Sequence, residues 1–135
     1  MFELGISISA QLKAGDLVLI NGPLGAGKTV LAQGIGKGLG IEDITSPTFV
    51  ISRTHKAALP MIHVDAYRLI DTENPNLFLD DLDLDTENSV TVVEWGGAES
   101  ARLSENRLEI SIDRTNEIRQ VEIKAIGTRW IGFAL

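Results

Sequence analysis

The segment at residues 22–29 constrains this chain more than any other part of its sequence. It is Gly-Pro-Leu-Gly-Ala-Gly-Lys-Thr, which matches the G-x-x-x-x-G-K-T pattern of a phosphate-binding loop. A short, fully apolar segment at 17–20 precedes the pattern, and apolar residues with helical spacing follow it over 28–39. Because the pattern requires a strand before it and a helix after it, this context favours a genuine phosphate site on an α/β fold.

Each residue type in this loop has a defined role toward phosphate. Glycines let the backbone turn tightly and direct its N–H groups at phosphate oxygens, and the N-terminus of the next helix adds a partial positive charge. Lys28 would place a full charge on the β- and γ-phosphates, and the Thr29 hydroxyl would bind Mg²⁺. The residues predicted to bind the nucleotide here are Gly22, Leu24, Gly25, Ala26, Gly27, Lys28 and Thr29.

Two acidic residues are candidates for the carboxylate that a P-loop enzyme needs near its metal. Asp65 follows the apolar segment at 61–64, and Glu94 follows the one at 90–93. Both would emerge at the carboxyl edge of a parallel sheet, where ligands bind, and the sequence does not rank them. Thr48 is a further candidate, since a hydroxyl from this region contacts the γ-phosphate and Mg²⁺ in switch-type NTPases. Its Ser-Pro-Thr setting also fits an ordinary turn.

The remaining patterns predict a three-layer α/β P-loop domain. Its mixed sheet has a parallel core that an antiparallel C-terminal hairpin extends. Residues 1–135 are predicted to be a single domain, because no repeat, low-complexity tract or linker interrupts them. The predicted elements are a helix carrying Leu4, Ile8 and Leu12, a strand over 17–20, a helix over 28–39, strands over 48–52, 61–64 and 90–93, and a hairpin carrying Leu108, Ile110 and Ile112 and then Val121 and Ile123.

The predicted helix over 28–39 contains several glycines. Gly34, Gly36 and Gly38 each cost about 1 kcal/mol relative to alanine, so the helix needs a compensating interaction. Gly40 stands where a C-terminal cap belongs. The apolar stripe of this helix is predicted to consist of Val30, Leu31, Ile35 and Leu39.

Two further sets of residues are expected to lie in the interior. A last core segment is predicted from Trp130, Ile131, Phe133 and Leu135. His63 has no helical metal-ligand spacing and no cysteine nearby. It is therefore expected to be a strand residue that packs or forms a local hydrogen bond.

The composition excludes several other classes of protein. The chain has 135 residues with 12 Lys and Arg against 19 Asp and Glu, a formal net charge of −7, which argues against a large direct nucleic-acid interface. Cysteine is absent, which excludes a disulfide framework and a thiolate metal site. No apolar run approaches the ~20 residues that span a bilayer. Since the N-terminus also lacks a secretion signal, we expect a cytoplasmic protein that does not bind membranes.

Four short blocks occur in an order that is specific to one protein family. They are the loop at 22–29, Ser-Pro-Thr-Phe at 46–49, His-Val-Asp-Ala-Tyr-Arg-Leu at 63–69 and Val-Glu-Trp-Gly at 93–96. The phosphate loop alone is generic, whereas the other three blocks at these separations are more specific. Over nearly its whole length, the chain resembles the TsaE family, also called YjeE.

This resemblance implies a Mg²⁺-dependent ATPase of threonylcarbamoyladenosine modification in tRNAs that read ANN codons. The family hydrolyses ATP slowly when alone and works with the proteins TsaD and TsaB, so tRNA contact is expected only through that complex. By resemblance, Thr48 is a switch residue, Asp65 the essential acid, Glu94 a Mg²⁺ ligand or water-orienting group, and Trp95 a neighbour of the nucleotide. The expected catalytic residues are Lys28, Thr48, Asp65 and Glu94, and the expected metal ligands are Thr29 and Glu94.

The resemblance also leads us to expect that one feature of the family is missing here. Family members usually carry a further strand before the first helix, and part of the adenine pocket would come from it. The sequence therefore does not identify the residues that recognise the base.

Two other functions stay open from the residues alone. A small-molecule P-loop kinase would usually bring an arginine-bearing lid to the transferred phosphoryl group, and the arginines of this chain are scattered. A nucleotide-dependent binding module without catalysis would keep the same loop. Transfer of phosphate to a metabolite would favour the kinase, and a rate that partner proteins leave unchanged would favour the module.

Overall fold

The computed structural model of the chain describes residues 1–22, 27–42, 52–65, 86–94, 106–113 and 120–133. Neither described α-helix is long and apolar enough to cross a membrane. Short 3₁₀ turns occur at Thr86–Asn88 and Thr128–Trp130. The helices and strands of these ranges are α1 (Phe2–Ser9), β1 (Leu17–Asn21), α2 (Lys28–Gly38), β2 (Ser52–His55), β3 (Met61–Asp65), β4 (Val90–Glu94), β5 (Arg107–Asp113) and β6 (Gln120–Ile126).

The described strands form one mixed sheet in the order β2-β3-β4-β1-β5-β6. β3, β4, β1 and β5 are parallel to one another, and β2 and β6 are antiparallel edge strands. In the pair of β5 and β6, Leu108, Ile110 and Ile112 are buried and alternate with more exposed residues. The predicted fold, with a parallel core and an antiparallel C-terminal hairpin, is therefore confirmed.

Both faces of the central strands are buried. One apolar core joins the helices to the sheet, and it includes Ile8, Leu31, Ile35, Val18, Ile20, Val92, Leu108 and Ile110. Because side chains alternate along a strand, Leu17, Leu19 and Val93 lie on the opposite face, and they are buried as well. This pattern is typical of parallel strands in a layered α/β protein.

Glycines let α1 pack directly against the backbone of α2. A Cβ atom on Gly34 would overlap the carbonyl oxygen of Phe2 and lie 2.9 Å from its carbonyl carbon. A Cβ atom on Gly5 of α1 would lie 2.7 Å from the amide nitrogen of Ile35. The close approach buries the facing sides of both helices, and this burial offsets the poor helix propensity of glycine.

We expect Gly34→Ala to destabilise the protein although alanine favours helices. The added methyl group would force α1 away from α2, which lowers the free energy of unfolding by about 1–3 kcal/mol. Urea denaturation of the variant beside the wild type measures this difference. Lys37→Ala, an exposed substitution on the same helix, is the control and should have little effect. A Gly34→Ala protein as stable as the wild type would contradict the close packing.

The C-terminus of α2 is capped as predicted. Gly40 has a φ of +83°, and its N–H donates to the Lys37 carbonyl at 3.1 Å. The Ile41 N–H donates to the Gly36 carbonyl at 2.8 Å. Together these bonds form a Schellman motif, which requires the left-handed conformation that glycine adopts most easily.

The apolar stripe of α2 differs from the prediction at one residue. Leu31 and Ile35 are fully buried, and Leu39 packs against the core. Val30 is 42% exposed, because it lies roughly 140° around the helix from Ile35. Its prediction as a stripe residue is wrong.

The C-terminal apolar segment is buried only in part. Trp130 is buried, and its ring meets that of Phe133 edge to face with centroids 5.5 Å apart. Ile131 is 81% exposed, so its prediction as a core residue is wrong. The chain leaves the 3₁₀ turn at this point, and adjacent side chains therefore lie on different sides. Leu135 is outside the described residues.

Arg129 ties this C-terminal turn to the loop before β1. Its guanidinium donates to both carboxylate oxygens of Asp16, at 3.2 and 3.1 Å, and to the Gln11 carbonyl at 2.8 Å. The guanidinium carbon also lies 4.1 Å from the centroid of the Trp130 ring, a cation–π contact. These contacts join the turn at Thr128–Trp130 to the segment that leads into β1.

One predicted helix differs from the structure by several residues, and one predicted strand lies mostly outside the described residues. α1 ends at Ser9, earlier than predicted, and the buried Leu12 lies in the turn that follows, where its N–H donates to the Ser9 carbonyl at 3.1 Å. Most of the strand predicted over 48–52 lies outside the described residues, and β2 begins at Ser52.

Candidate functional site

The described part of the phosphate-binding loop lies between the end of β1 and the start of α2. Gly27 directly precedes α2 with a φ of 108°, a left-handed conformation that favours glycine. Its carbonyl accepts a hydrogen bond from the Leu31 N–H at 2.9 Å. The N-terminus of α2 is therefore formed beside the loop, as anion binding at a helix end requires. Leu24, Gly25 and Ala26, which were predicted to bind the nucleotide, lie outside the described residues.

Lys28 is buried at the base of this loop. Its Nζ donates to the carbonyl oxygen of Gly22 at 2.8 Å. This bond joins the first and seventh positions of the sequence pattern. It holds the ammonium group at the loop, where a bound phosphate would need a positive charge. A buried ammonium group also requires a hydrogen-bond acceptor, which the Gly22 carbonyl supplies.

Glu94 and Thr29 come together from distant parts of the sequence. Glu94 ends β4, which pairs with β1 so that Glu94 lies opposite Ile20. The Thr29 hydroxyl, in the first turn of α2, donates to Oε1 of Glu94 at 2.9 Å. The Glu94 residue is only 4% exposed. The two predicted metal ligands are therefore neighbours.

His63 holds the other oxygen of the same carboxylate. Its Nε2 contacts Oε2 of Glu94, and its side chain is fully buried. His63 lies opposite Val92 in the register of β3 and β4, so Glu94 is its diagonal neighbour. An ionised carboxylate only accepts hydrogen bonds, so the tautomer that bonds to it here is the one with the hydrogen on Nε2.

The contact between His63 and Glu94 was not predicted from the sequence. The hydrogen bond was expected to be local, but its partner lies on the adjacent strand. A signal was present: His63 is a polar residue in an otherwise apolar strand, two positions before a strand-end acid. The pattern did not name its partner, because that depends on strand order.

The other predicted site residues are described in part or not at all. Asp65 is the last residue of β3 and pairs with Glu94 in the parallel register. The ends of β3, β4 and β1 therefore lie side by side at the carboxyl edge of the sheet, the usual ligand edge of such folds. The Asp65 side chain, Thr48 and Trp95 are outside the described part of the chain.

The donor set at this edge suits a hard divalent cation. The Thr29 hydroxyl and the Glu94 carboxylate supply oxygen atoms, which Mg²⁺ prefers over nitrogen or sulfur. The Lys28 ammonium group is bound to Gly22, which follows β1, and Glu94 ends the neighbouring strand β4. The same edge of the sheet therefore carries a cationic and an anionic group. A phosphate chain that carries a divalent cation would find complementary charges for both of its parts.

Comparison with known proteins identifies similar chains. A family model described as threonylcarbamoyl adenosine biosynthesis protein TsaE matches residues 1–122. The chain is 46% identical to tRNA threonylcarbamoyladenosine biosynthesis protein TsaE of Streptomyces coelicolor, over 96% of this chain and 93% of that protein. It is 49% identical to the protein of the same name from Mycobacterium tuberculosis, over 84% and 73%.

Relatives of lower sequence identity match the chain over a similar length. The TsaE protein of Bacillus subtilis is 38% identical over 90% of this chain and 77% of its own length. The crystal structure of Bacillus subtilis YdiB superimposes with a TM-score of 0.75 at 30% identity, covering 97% of this chain and 82% of that one. The sequence match and the structural match therefore both extend over most of the chain.

Proposed function

Because this chain belongs to the TsaE family of tRNA threonylcarbamoyladenosine biosynthesis proteins, we propose that it binds ATP with Mg²⁺ and hydrolyses the ATP in that pathway. The observation that carries the proposal is the hydrogen bond between Thr29 and Glu94, beside the buried Lys28. It supports a site in which a cation and the terminal phosphates are bound side by side.

Each residue of the site has a proposed role. Lys28 neutralises the β- and γ-phosphates, while Thr29 and Glu94 hold Mg²⁺. The bound metal would supply positive charge that stabilises the phosphate oxygens. The bond between Glu94 and Thr29 supports Glu94 as a metal ligand, which leaves Asp65, beside it at the sheet edge, to orient the attacking water.

Two residues complete this proposal on the strength of the family resemblance. Thr48 acts as the switch hydroxyl near the γ-phosphate, and Trp95 lies next to the nucleotide. We assign residues 1–135 to a single P-loop domain, and the one sheet that contains β1 to β6 supports this assignment.

The partners in this proposal are the proteins TsaD and TsaB. With a net charge of −7, the chain is poorly suited to bind tRNA directly, because phosphate backbones attract basic surfaces. Hydrolysis would therefore drive a complex whose other members hold the tRNA. Such a complex would act in the cytoplasm, where tRNA is modified.

The test is reconstitution of the modification with purified proteins. We expect slow release of phosphate from Mg-ATP by this protein alone and faster release with TsaD and TsaB. When the activated threonylcarbamoyl donor is also supplied, we expect modified adenosine in a tRNA that reads ANN codons. Calorimetry that detects no binding of Mg-ATP would contradict the proposal. Phosphate found on a metabolite rather than in solution would instead favour a small-molecule kinase. Binding without hydrolysis under all conditions would indicate a non-catalytic module.

A further inference from the structure

His63 is a polar side chain at a buried position whose strand neighbours are apolar. Its strand neighbours Ile62 and Val64 are apolar, and all three residues are buried. Nε2 contacts Glu94, whereas Nδ1 has no hydrogen-bond partner in the described part of the chain. A buried imidazole with an unpartnered nitrogen is less favourable than an apolar side chain of similar size. The contact with Glu94 is therefore what distinguishes a histidine from an apolar residue at this position.

The Glu94 carboxylate needs two partners if its direction is to be fixed. The terminal torsion of a glutamate is broad, so the carboxylate rotates easily when only one oxygen is held. Thr29 holds Oε1 at 2.9 Å, and His63 holds Oε2. In the proposed function, the Thr29 hydroxyl would bind Mg²⁺ and would no longer hold Oε1. His63 would then be the described residue that still orients the carboxylate.

We propose that His63 is a positioning residue whose Nε2–H fixes the Glu94 carboxylate for binding of Mg²⁺ with the nucleotide. This inference rests on the proposed function, since it concerns the same site. The side chain of His63 is fully buried, so it acts through Glu94 rather than by contact with the substrate. Loss of a hydrogen-bond partner behind a metal ligand typically costs about 10–100-fold in metal affinity or activity.

The test compares two variants of similar size. His63→Met removes the N–H donor, and His63→Gln places an amide N–H near the position of Nε2. Calorimetry with a non-hydrolysable ATP analogue, in Mg²⁺ and in EDTA, gives the factor by which Mg²⁺ tightens nucleotide binding. We expect His63→Met to reduce that factor by about 10-fold or more with unchanged affinity in EDTA. His63→Gln should restore most of the factor.

The outcomes separate this inference from the proposed function. A wild-type protein whose nucleotide affinity does not respond to Mg²⁺ overturns both. A wild-type response that His63→Met retains, or that both variants lose equally, overturns only the role of His63. Nitrogen-15 NMR of the wild-type histidines gives a measurement that does not depend on whether a variant folds. We expect His63 to carry its hydrogen on Nε2, and a bare Nε2 would overturn the inference.

Discussion

Lys28→Ala is expected to reduce ATP turnover by about 100-fold or more, because it removes the full positive charge held at the phosphate-binding loop. The Lys28 ammonium group is buried and bound to the Gly22 carbonyl at 2.8 Å, so its charge is held at the loop rather than in solvent. ATP-dependent assembly with TsaD and TsaB should be lost with turnover. Release of inorganic phosphate under single-turnover conditions measures the effect on chemistry directly.

The control for this variant is Lys37→Ala. Lys37 lies on the same helix, but it is exposed and pairs with Glu42 at the surface. Both substitutions remove one lysine charge from α2. Any difference in ATP turnover between the two variants is therefore due to the position of the charge and not to the net charge. Wild-type turnover by Lys28→Ala, or an equal loss in both variants, would show that the loop does not bind the nucleotide phosphates.

Glu94→Gln is expected to lower ATP turnover by about 10²–10³-fold while the protein stays folded. Glutamine has the shape of glutamate, and its carbonyl oxygen can still accept the hydrogen bond from Thr29. What it loses is the negative charge that a divalent cation needs. The Mg²⁺ concentration required for half-maximal turnover should rise, and a titration of the rate with Mg²⁺ measures this shift.

Glu122→Gln is the matched control for the loss of one negative charge. Glu122 is an exposed residue of the edge strand β6, and β1 and β5 lie between this strand and β4, which carries Glu94. We expect its turnover and its Mg²⁺ requirement to equal those of the wild type. If Glu94→Gln also keeps the wild-type Mg²⁺ requirement, Glu94 is not a metal ligand.

The strand and the helix on either side of the loop at 22–29 were predictable because their constraints are local. The glycines and Lys28 lie within a few positions of one another, and the strand before them and helix after them follow from apolar spacing. The glycine cap after α2 was found for the same reason, since a Schellman motif depends only on the last turn of its own helix.

The packing of α1 on α2 could not be predicted in this way. The sequence showed only that Gly34 and its neighbouring glycines make the helix less stable than alanines would. The compensating contact comes from Gly5 and Phe2, whose approach depends on how two separate helices cross. Val30 was misplaced for a related reason, since the direction of the partner helix and the sheet decides which side of α2 is buried.

The residues alone predicted a phosphate-binding loop on an α/β fold, and they offered Glu94 and Asp65 as candidate acids. The contacts of the Glu94 carboxylate with Thr29 and with His63 are visible only in the folded chain. Thr29 and Glu94 are 65 positions apart. Their contact exists because β4 lies next to β1 in the sheet. Strand order and register are set by the packing of the whole domain, and no local pattern of residues contains them.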